Sequence, residues 1–151
     1  MENAISFKTK FGWITAVELN NKITNIQFKK TKNKGIYTKN LKKLRNDLDL
    51  YFQRKKNSLK VPIQTKGNTN QKKVWNELKK IKKGKTKSYG EIAKKLKISA
   101  RYVGRACGEN KHVLIIPCHR VIRSDGSLGG FSAKGGLVLK KKLLKFELNK
   151  I

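Results

Sequence analysis

Ser88-Tyr89-Gly90-Glu91-Ile92-Ala93-Lys94-Lys95-Leu96, then Lys97-Ile98-Ser99, then Ala100-Arg101-Tyr102-Val103-Gly104-Arg105-Ala106-Cys107-Gly108 is the stretch that decides how the second half of this chain folds. Ser88 followed three residues later by Glu91 has the capping-box pattern, in which a hydroxyl and a carboxylate each satisfy a backbone N–H left open at a helix start. A second helix is expected after Ser99, carrying Val103, Ala106 and Cys107 and stopped by Gly108 and Asn110. Two short helices joined through Lys97-Ile98-Ser99 predict a helix-turn-helix.

Toward the C-terminus, the apolar run Val113-Leu114-Ile115-Ile116 enters Pro117-Cys118-His119-Arg120-Val121-Ile122, the densest chemical signal in the chain. A thiol flanked by an imidazole and a guanidinium sits where positive charge can stabilise a thiolate. An ordinary thiol, with a pKa of about 8.5, is about 3% ionised at pH 7, and lowering that pKa by about 3 units takes roughly 4 kcal/mol of differential stabilisation. The neighbouring imidazole, a helix N-terminus and Arg120 are the expected sources. The plain alternative is that Cys118 is a small buried hydrophobe. A Gly-rich loop over 124–136 and a last helix bearing Leu137, Leu139, Leu143, Leu144 and Phe146 complete this half.

Toward the N-terminus, Val74, Trp75, Leu78 and Ile81 share one helical face that ends at Lys82-Lys83-Gly84-Lys85. Pro62 and the polar residues 65–70 mark a passage between two parts, so domains are expected over 1–66 and 67–151. In the first part, Gly12-Trp13-Ile14-Thr15-Ala16-Val17-Glu18-Leu19 and Ile23-Thr24-Asn25-Ile26-Gln27-Phe28 alternate about an Asn20-Asn21-Lys22 turn, a hairpin pattern. Leu41, Leu44, Leu48 and Tyr51 recur at helical spacing. The fold class is therefore α/β: a small sheet-plus-helix domain followed by a mainly helical one.

A chain of 151 residues can bury a real core, and its 37% hydrophobic residues are gathered into runs. Thirty-eight Lys+Arg against nine Asp+Glu leave a net charge of +29, which favours a polyanionic partner, either nucleic acid or an acidic membrane surface. A general lysine bias would account for the same excess without a function. No apolar stretch approaches the roughly 20 residues of a membrane span, and Met1-Glu2-Asn3-Ala4-Ile5 lacks a signal-peptide plan, so a soluble, intracellular, cytoplasmic protein is expected. Two cysteines, Cys107 and Cys118, are too few for a disulfide scaffold.

Pro117-Cys118-His119-Arg120-Val121, with Asn110 before it and Glu147 on the last helix, resembles the methylated-DNA–protein-cysteine methyltransferases, or O6-alkylguanine-DNA alkyltransferases. The likeness runs through most of 70–148, including Val74-Trp75, Ser88-Tyr89-Gly90-Glu91-Ile92-Ala93, Arg101 with Val103-Gly104, and Gly129-Gly130-Phe131. The resemblance implies a ribonuclease H-like first domain and a winged-helix-like helix-turn-helix in the second. It implies stoichiometric transfer of a methyl or small alkyl group from guanine O6, and in some cases thymine O4, to Cys118. His119 would act through a water as base, Glu147 would orient His119, Tyr89 would assist the leaving purine and Asn110 would hold the two halves of the site together. Arg101 would fill the gap left by a flipped nucleotide in the minor groove, with Tyr102, Gly104, Arg105 and Arg120 also at the DNA and Gly104, Ala106 and Gly108 keeping the helix slim. Trp75, Phe131 and Ser132 would line the substrate pocket. The partner would be double-stranded DNA carrying O6-alkylguanine, met by a monomer without cofactor, metal or membrane. Departures from the family pattern are the bulky Tyr102 and Arg105, Lys111-His112 after Asn110, and the longer loop 132–135.

Three other readings compete. Cys107, His112, Cys118 and His119 offer zinc-ligand types, but without a Cys-x-x-Cys pair. A non-catalytic reader of alkylated DNA would need no reactive cysteine, and a Cys-His hydrolase would leave the helix-turn-helix without purpose.

Overall fold

The computed structural model describes residues 1–129 and 136–148, a mixed α/β chain with a small antiparallel sheet and five helices. It divides into two compact units.

The first unit is built on strands β1 (Asn3–Thr9), β2 (Gly12–Leu19) and β3 (Lys22–Gln27), in that spatial order, all antiparallel. The expected hairpin is β2–β3, and its turn residues Asn20 and Asn21 have φ of 52° and 65°, the left-handed geometry that asparagine tolerates in tight hairpins. β1 carries only Ile5 and Phe7 as large apolar residues, too short an alternation to be read from the sequence alone. Those two pair across the ladder with Ala16 and Ile14, and all four are buried. Helix α1 (Lys39–Phe52), capped by the Thr38 hydroxyl, buries Leu41, Leu44, Leu48 and Tyr51, the four residues whose spacing predicts it. Each such leucine contributes about 2 kcal/mol of burial. Asp47 is buried on the same helix, held by Lys43 at 2.8 Å and Lys56 at 2.9 Å.

A contiguous division at 66/67 omits one segment, because Lys111–Ile115 belongs to the first unit. Ile26 N–H donates to the Lys111 carbonyl and Val113 N–H to the Ile26 carbonyl, while His112 Nε2 lies 2.9 Å from the Ile23 carbonyl. Ile23 also exchanges backbone bonds with Pro62 and Gln64. The outer edge of β3 is thus occupied on both halves, which removes an exposed row of backbone donors and acceptors.

The second unit contains α2 (Thr69–Leu78), α3 (Tyr89–Leu96), α4 (Ala100–Gly108) and α5 (Gly136–Leu148). The Ser88–Glu91 capping box is formed, and Asn68 with Gln71 makes another at α2. Lys97, at φ 59°, turns the chain out of α3, and Ser99 caps α4, so the two-helix unit forms where the sequence places it. β4 (Lys87–Ser88) and β5 (Val121–Ile122) pair in parallel and tie the start of α3 to the segment after Cys118. At two residues each, they leave no periodic trace in the sequence. Trp75 joins α2 to α4 by donating its indole N–H to the Ala106 carbonyl at 2.8 Å. Among the described residues, no helix is long and apolar enough to cross a membrane.

Candidate active site

Cys118 opens a single 3₁₀ turn, Cys118–Arg120, directly after Pro117. Its side chain is 4% exposed, and the Asn110 amide reaches it by donating to Sγ at 3.2 Å and to the Ile116 carbonyl at 2.8 Å. Asn110 therefore ties the end of α4 to the thiol. Its φ is not left-handed, so this pair of hydrogen bonds, rather than a helix-stop conformation, is its structural work.

Burial pushes the Cys118 thiol above its ordinary pKa, and the Asn110 hydrogen bond and the Lys140 charge only partly oppose that. The expected resting thiolate is corrected accordingly: the buried sulfur keeps its proton and needs a base. His119 is buried and held below its ordinary pKa by that burial, so the neutral imidazole that a base requires is the resting form. Its Nε2 lies 3.0 Å from Glu147 Oε2, a close approach outside the angle of an aligned hydrogen bond.

Glu147 is fixed by Arg120, whose Nε donates to Oε1 at 2.8 Å and whose Nη2 donates to Oε2 at 2.7 Å. Burial alone would raise the Glu147 pKa, but the Arg120 fork and His119 hold it well below the usual carboxylate range. Arg120 Nη1 donates to the Ile81 carbonyl at 2.6 Å. All these donors point inward and Arg120 is buried, so the expectation that it meets DNA and activates Cys118 is overturned: its charge is spent on Glu147.

Tyr89 stands at the first position of α3, packed between two glycines. A Cβ on Gly104 would sit 3.9 Å from the Tyr89 ring, and one on Gly129, at φ +70°, would lie 2.9 Å from its hydroxyl. Gly129 is therefore required both by backbone conformation and by space. Burial raises the Tyr89 pKa to about 12, so at neutral pH the phenol keeps its proton.

One residue escaped the sequence reading. Lys140 on α5 is 0% exposed, and its Nζ lies 3.3 Å from Tyr89 Oη and donates to the Leu128 carbonyl. It falls seven residues, or two turns, before Glu147 on the same helical face. That register was the available signal, hidden in a chain so rich in lysine.

Arg101 and Arg105 are exposed on α4, whereas the Tyr102 hydroxyl donates to the Asn68 side chain at 3.0 Å. Ala106 is buried, and Trp75, also buried, donates its indole N–H to the Ala106 carbonyl between α2 and α4. Gly108 is exposed. Phe131 and Ser132 lie outside the described residues. Among the described residues, no three His, Cys, Asp or Glu side chains gather into a metal-binding set, and His112 of the zinc reading belongs to the first unit.

Residues 69–149 match the family model for the 6-O-methylguanine DNA methyltransferase, DNA binding domain. The chain is 37% identical to a methylated-DNA–protein-cysteine methyltransferase of Metallosphaera sedula over 94% of this chain and 90% of that protein. A Sulfolobus acidocaldarius protein of the same name is 48% identical over 66% of this chain and 62% of its own length. The fold superposes on the crystal structure of Mycobacterium tuberculosis O6-methylguanine methyltransferase with a TM-score of 0.88 at 28% identity, covering 100% of this chain and 95% of that one. Against the structure of Mycobacterium tuberculosis OGT in complex with DNA the TM-score is 0.83 at 30% identity, covering 95% and 92% of the two chains. A mixed α/β chain with a buried cysteine, a histidine beside a fixed carboxylate and a capped two-helix unit defines the class, and the matches specify it. This chain belongs to the methylated-DNA–protein-cysteine methyltransferase family.

Proposed function

We propose that this chain repairs DNA by moving a methyl or small alkyl group from guanine O6 to Cys118 Sγ, once per protein molecule. The observation that carries the reading is the gathering of Asn110, Cys118, His119, Glu147 and Tyr89 within one unit of a chain of this family.

The buried thiol gives its proton to neutral His119, through a bound water in this scheme. The imidazolium that results lies 3.0 Å from a carboxylate that Arg120 keeps ionised. Such an arrangement favours the charged state as it forms, not before. The sulfur attacks the alkyl carbon, the carbon–O6 bond breaks, and the purine takes a proton from Tyr89, a neutral phenol suited to donate one. A thioether has no route back to thiolate, so the protein is consumed. The alkyl group arrives on the DNA and no cofactor enters the scheme.

The nucleotide must leave the stack to reach a sulfur so sheltered, at a cost of a few kcal/mol. In this reading α3 and α4, with the winged-helix-like second unit around them, dock on double-stranded DNA carrying O6-alkylguanine, and exposed Arg101 takes the vacated place. Arg105 meets phosphate and Gly104 lets α4 close over Tyr89. The first unit is the ribonuclease H-like domain. The protein works as a monomer in the cytoplasm, where both thiols stay reduced. A non-catalytic reader is disfavoured because the acceptor cysteine is present. Cys118→Ala is expected to abolish transfer while DNA affinity stays within about twofold; affinity lost in step with transfer contradicts the assignment.

A further inference from the structure

Lys29-Lys30-Thr31-Lys32-Asn33-Lys34 puts four lysines into six residues, a density of like charge that favours a loose, solvated loop. The first unit instead fastens this segment to its sheet. Ile5, Phe7, Ile14 and Ala16 fill the sheet face that meets α1, which leaves Ser6, Lys8, Trp13 and Thr15 on the other face. There the Thr15 hydroxyl donates to the Lys29 carbonyl at 2.8 Å and Thr31 N–H donates to the Ser6 hydroxyl at 3.3 Å. Ser6 N–H donates to the Asn33 side chain at 2.9 Å, and Lys34 exchanges two backbone bonds with Ala4.

Trp13 stands between two of the charges. Lys8 is its partner across the β1–β2 ladder, and the Lys30 ammonium lies 4.4 Å from the centre of its ring. A cation held over an indole face keeps its charge but loses the freedom of a loose lysine. Lys8, Lys29, Lys30 and Lys32 are exposed, and among the described residues no carboxylate pairs with them; Glu2 is taken by Lys34 at 3.7 Å. Glu18 and Asp47 of the same unit are buried, so neither can neutralise this face.

We infer that this face of the first unit is a second DNA-binding surface, which grips the phosphate backbone of a duplex through Lys8, Lys30 and Lys32 while Trp13 holds Lys30 in place. The family model for the DNA binding domain covers residues 69–149 and so does not include it. Phosphate contacts of this kind carry no sequence information and give salt-sensitive affinity for undamaged DNA. Because the loop is already fastened, little ordering entropy is lost on binding. An acidic membrane is the poorer fit, since interfacial binding adds apolar side chains to the basic ones and Trp13 is covered by Lys30 rather than offered for insertion. The surface acts independently of Cys118 and of alkyl transfer.

The test is the affinity of the full chain for an unmodified duplex across a range of salt concentrations. Replacing Lys8, Lys30 and Lys32 together by Gln is expected to flatten the slope of log affinity against log salt by about 2.7, the value for three phosphate contacts, and to weaken binding on the order of 10²-fold at about 0.1 M salt. Arginine at the same three positions is expected to keep the wild-type slope. Gln at Lys22, Lys55 and Lys60, exposed in the β2–β3 turn and after α1, removes equal charge and is expected to stay within about threefold of wild type. Amine labelling of the wild type, read by mass, adds a local measure: duplex should protect Lys8, Lys30 and Lys32 and leave Lys55 and Lys60 reactive. A slope unchanged by Gln at the patch, an equal loss from Gln at the three outlying lysines, or stronger protection by phosphatidylserine vesicles than by duplex overturns the inference. If the patch variant does not fold, the labelling decides, and unprotected Lys8, Lys30 and Lys32 overturn it.

Discussion

The two units bury polar groups in different ways. The first buries Thr15, Glu18, Asp47 and His112; the Thr15 hydroxyl and His112 ring meet backbone carbonyls, and Asp47 meets two lysines that remain 45% and 33% exposed. The second buries Ser88, Asn110, His119, Arg120, Lys140 and Glu147 together with two thiols, and their partners are largely one another. Polar burial in the first unit secures strands and a helix. In the second it stores charge that no hydrophobic core requires, which is the mark of a site whose chemistry repays the desolvation.

Removing one carboxylate from each unit should expose that contrast most strongly. Glu147→Gln leaves Arg120 buried without its counter-ion and should cost about 3–5 kcal/mol of stability, read as a fall in urea midpoint, and transfer should slow with it. Asp47→Asn should cost about 1–2 kcal/mol, because its lysines can turn to water, and should leave transfer unchanged. Equal costs would erase the distinction.

Arg101→Ala comes next. Repair of duplex DNA should slow by about 10- to 100-fold, equivalent to roughly 1.4–2.7 kcal/mol, while reaction with free O6-benzylguanine, which needs no flipping, should barely change. Slowing both alike would remove Arg101 from the place vacated in the stack.

A glycine in each unit offers a smaller comparison. Gly129→Ala meets both φ +70° and a Tyr89 hydroxyl 2.9 Å away, so it should cost about 1–2 kcal/mol and also slow transfer by displacing Tyr89. Gly12→Ala has φ +123° but open space, and should cost stability alone. Thermal midpoints beside single-turnover rates separate the two.

Mild acid should give the smallest difference. His119 is held below 6.5, so its contribution is complete above that pH and is lost as pH falls through its folded value. Glu147 follows below its ordinary 4.5, and Asp47 in the first unit only below 3.8. Trp13 and Trp75 report one unit each, so Trp75 fluorescence should change at higher pH than Trp13 fluorescence. Coincident transitions would mean that the second unit carries no extra acid sensitivity.

Much of the architecture was readable in the chain because local chemistry specifies it: the Ser88–Glu91 capping pair at α3, the Ser99 start of α4, the Asn20-Asn21 turn and the leucine spacing of α1 each act over a few residues. Cys118 and His119 stood out as neighbours in the densest chemical stretch of the chain, and Glu147 only through the family resemblance. Arg120 and Lys140 did not. A guanidinium next to a cysteine in sequence says nothing of the carboxylate 27 residues on that claims it, and one lysine among many carries no signal until its burial is seen. The return of Lys111–Ile115 to the first unit was hidden for a related reason: edge pairing uses backbone groups that every residue has.

The most direct test is the mass of the protein after incubation with excess duplex bearing O6-methylguanine, followed by peptide mapping. The account predicts a gain of one methyl per chain, confined to the peptide containing Cys118, with Cys107 unmodified as an internal control. No gain, a methyl on Cys107, or continued turnover without a modified cysteine would contradict it.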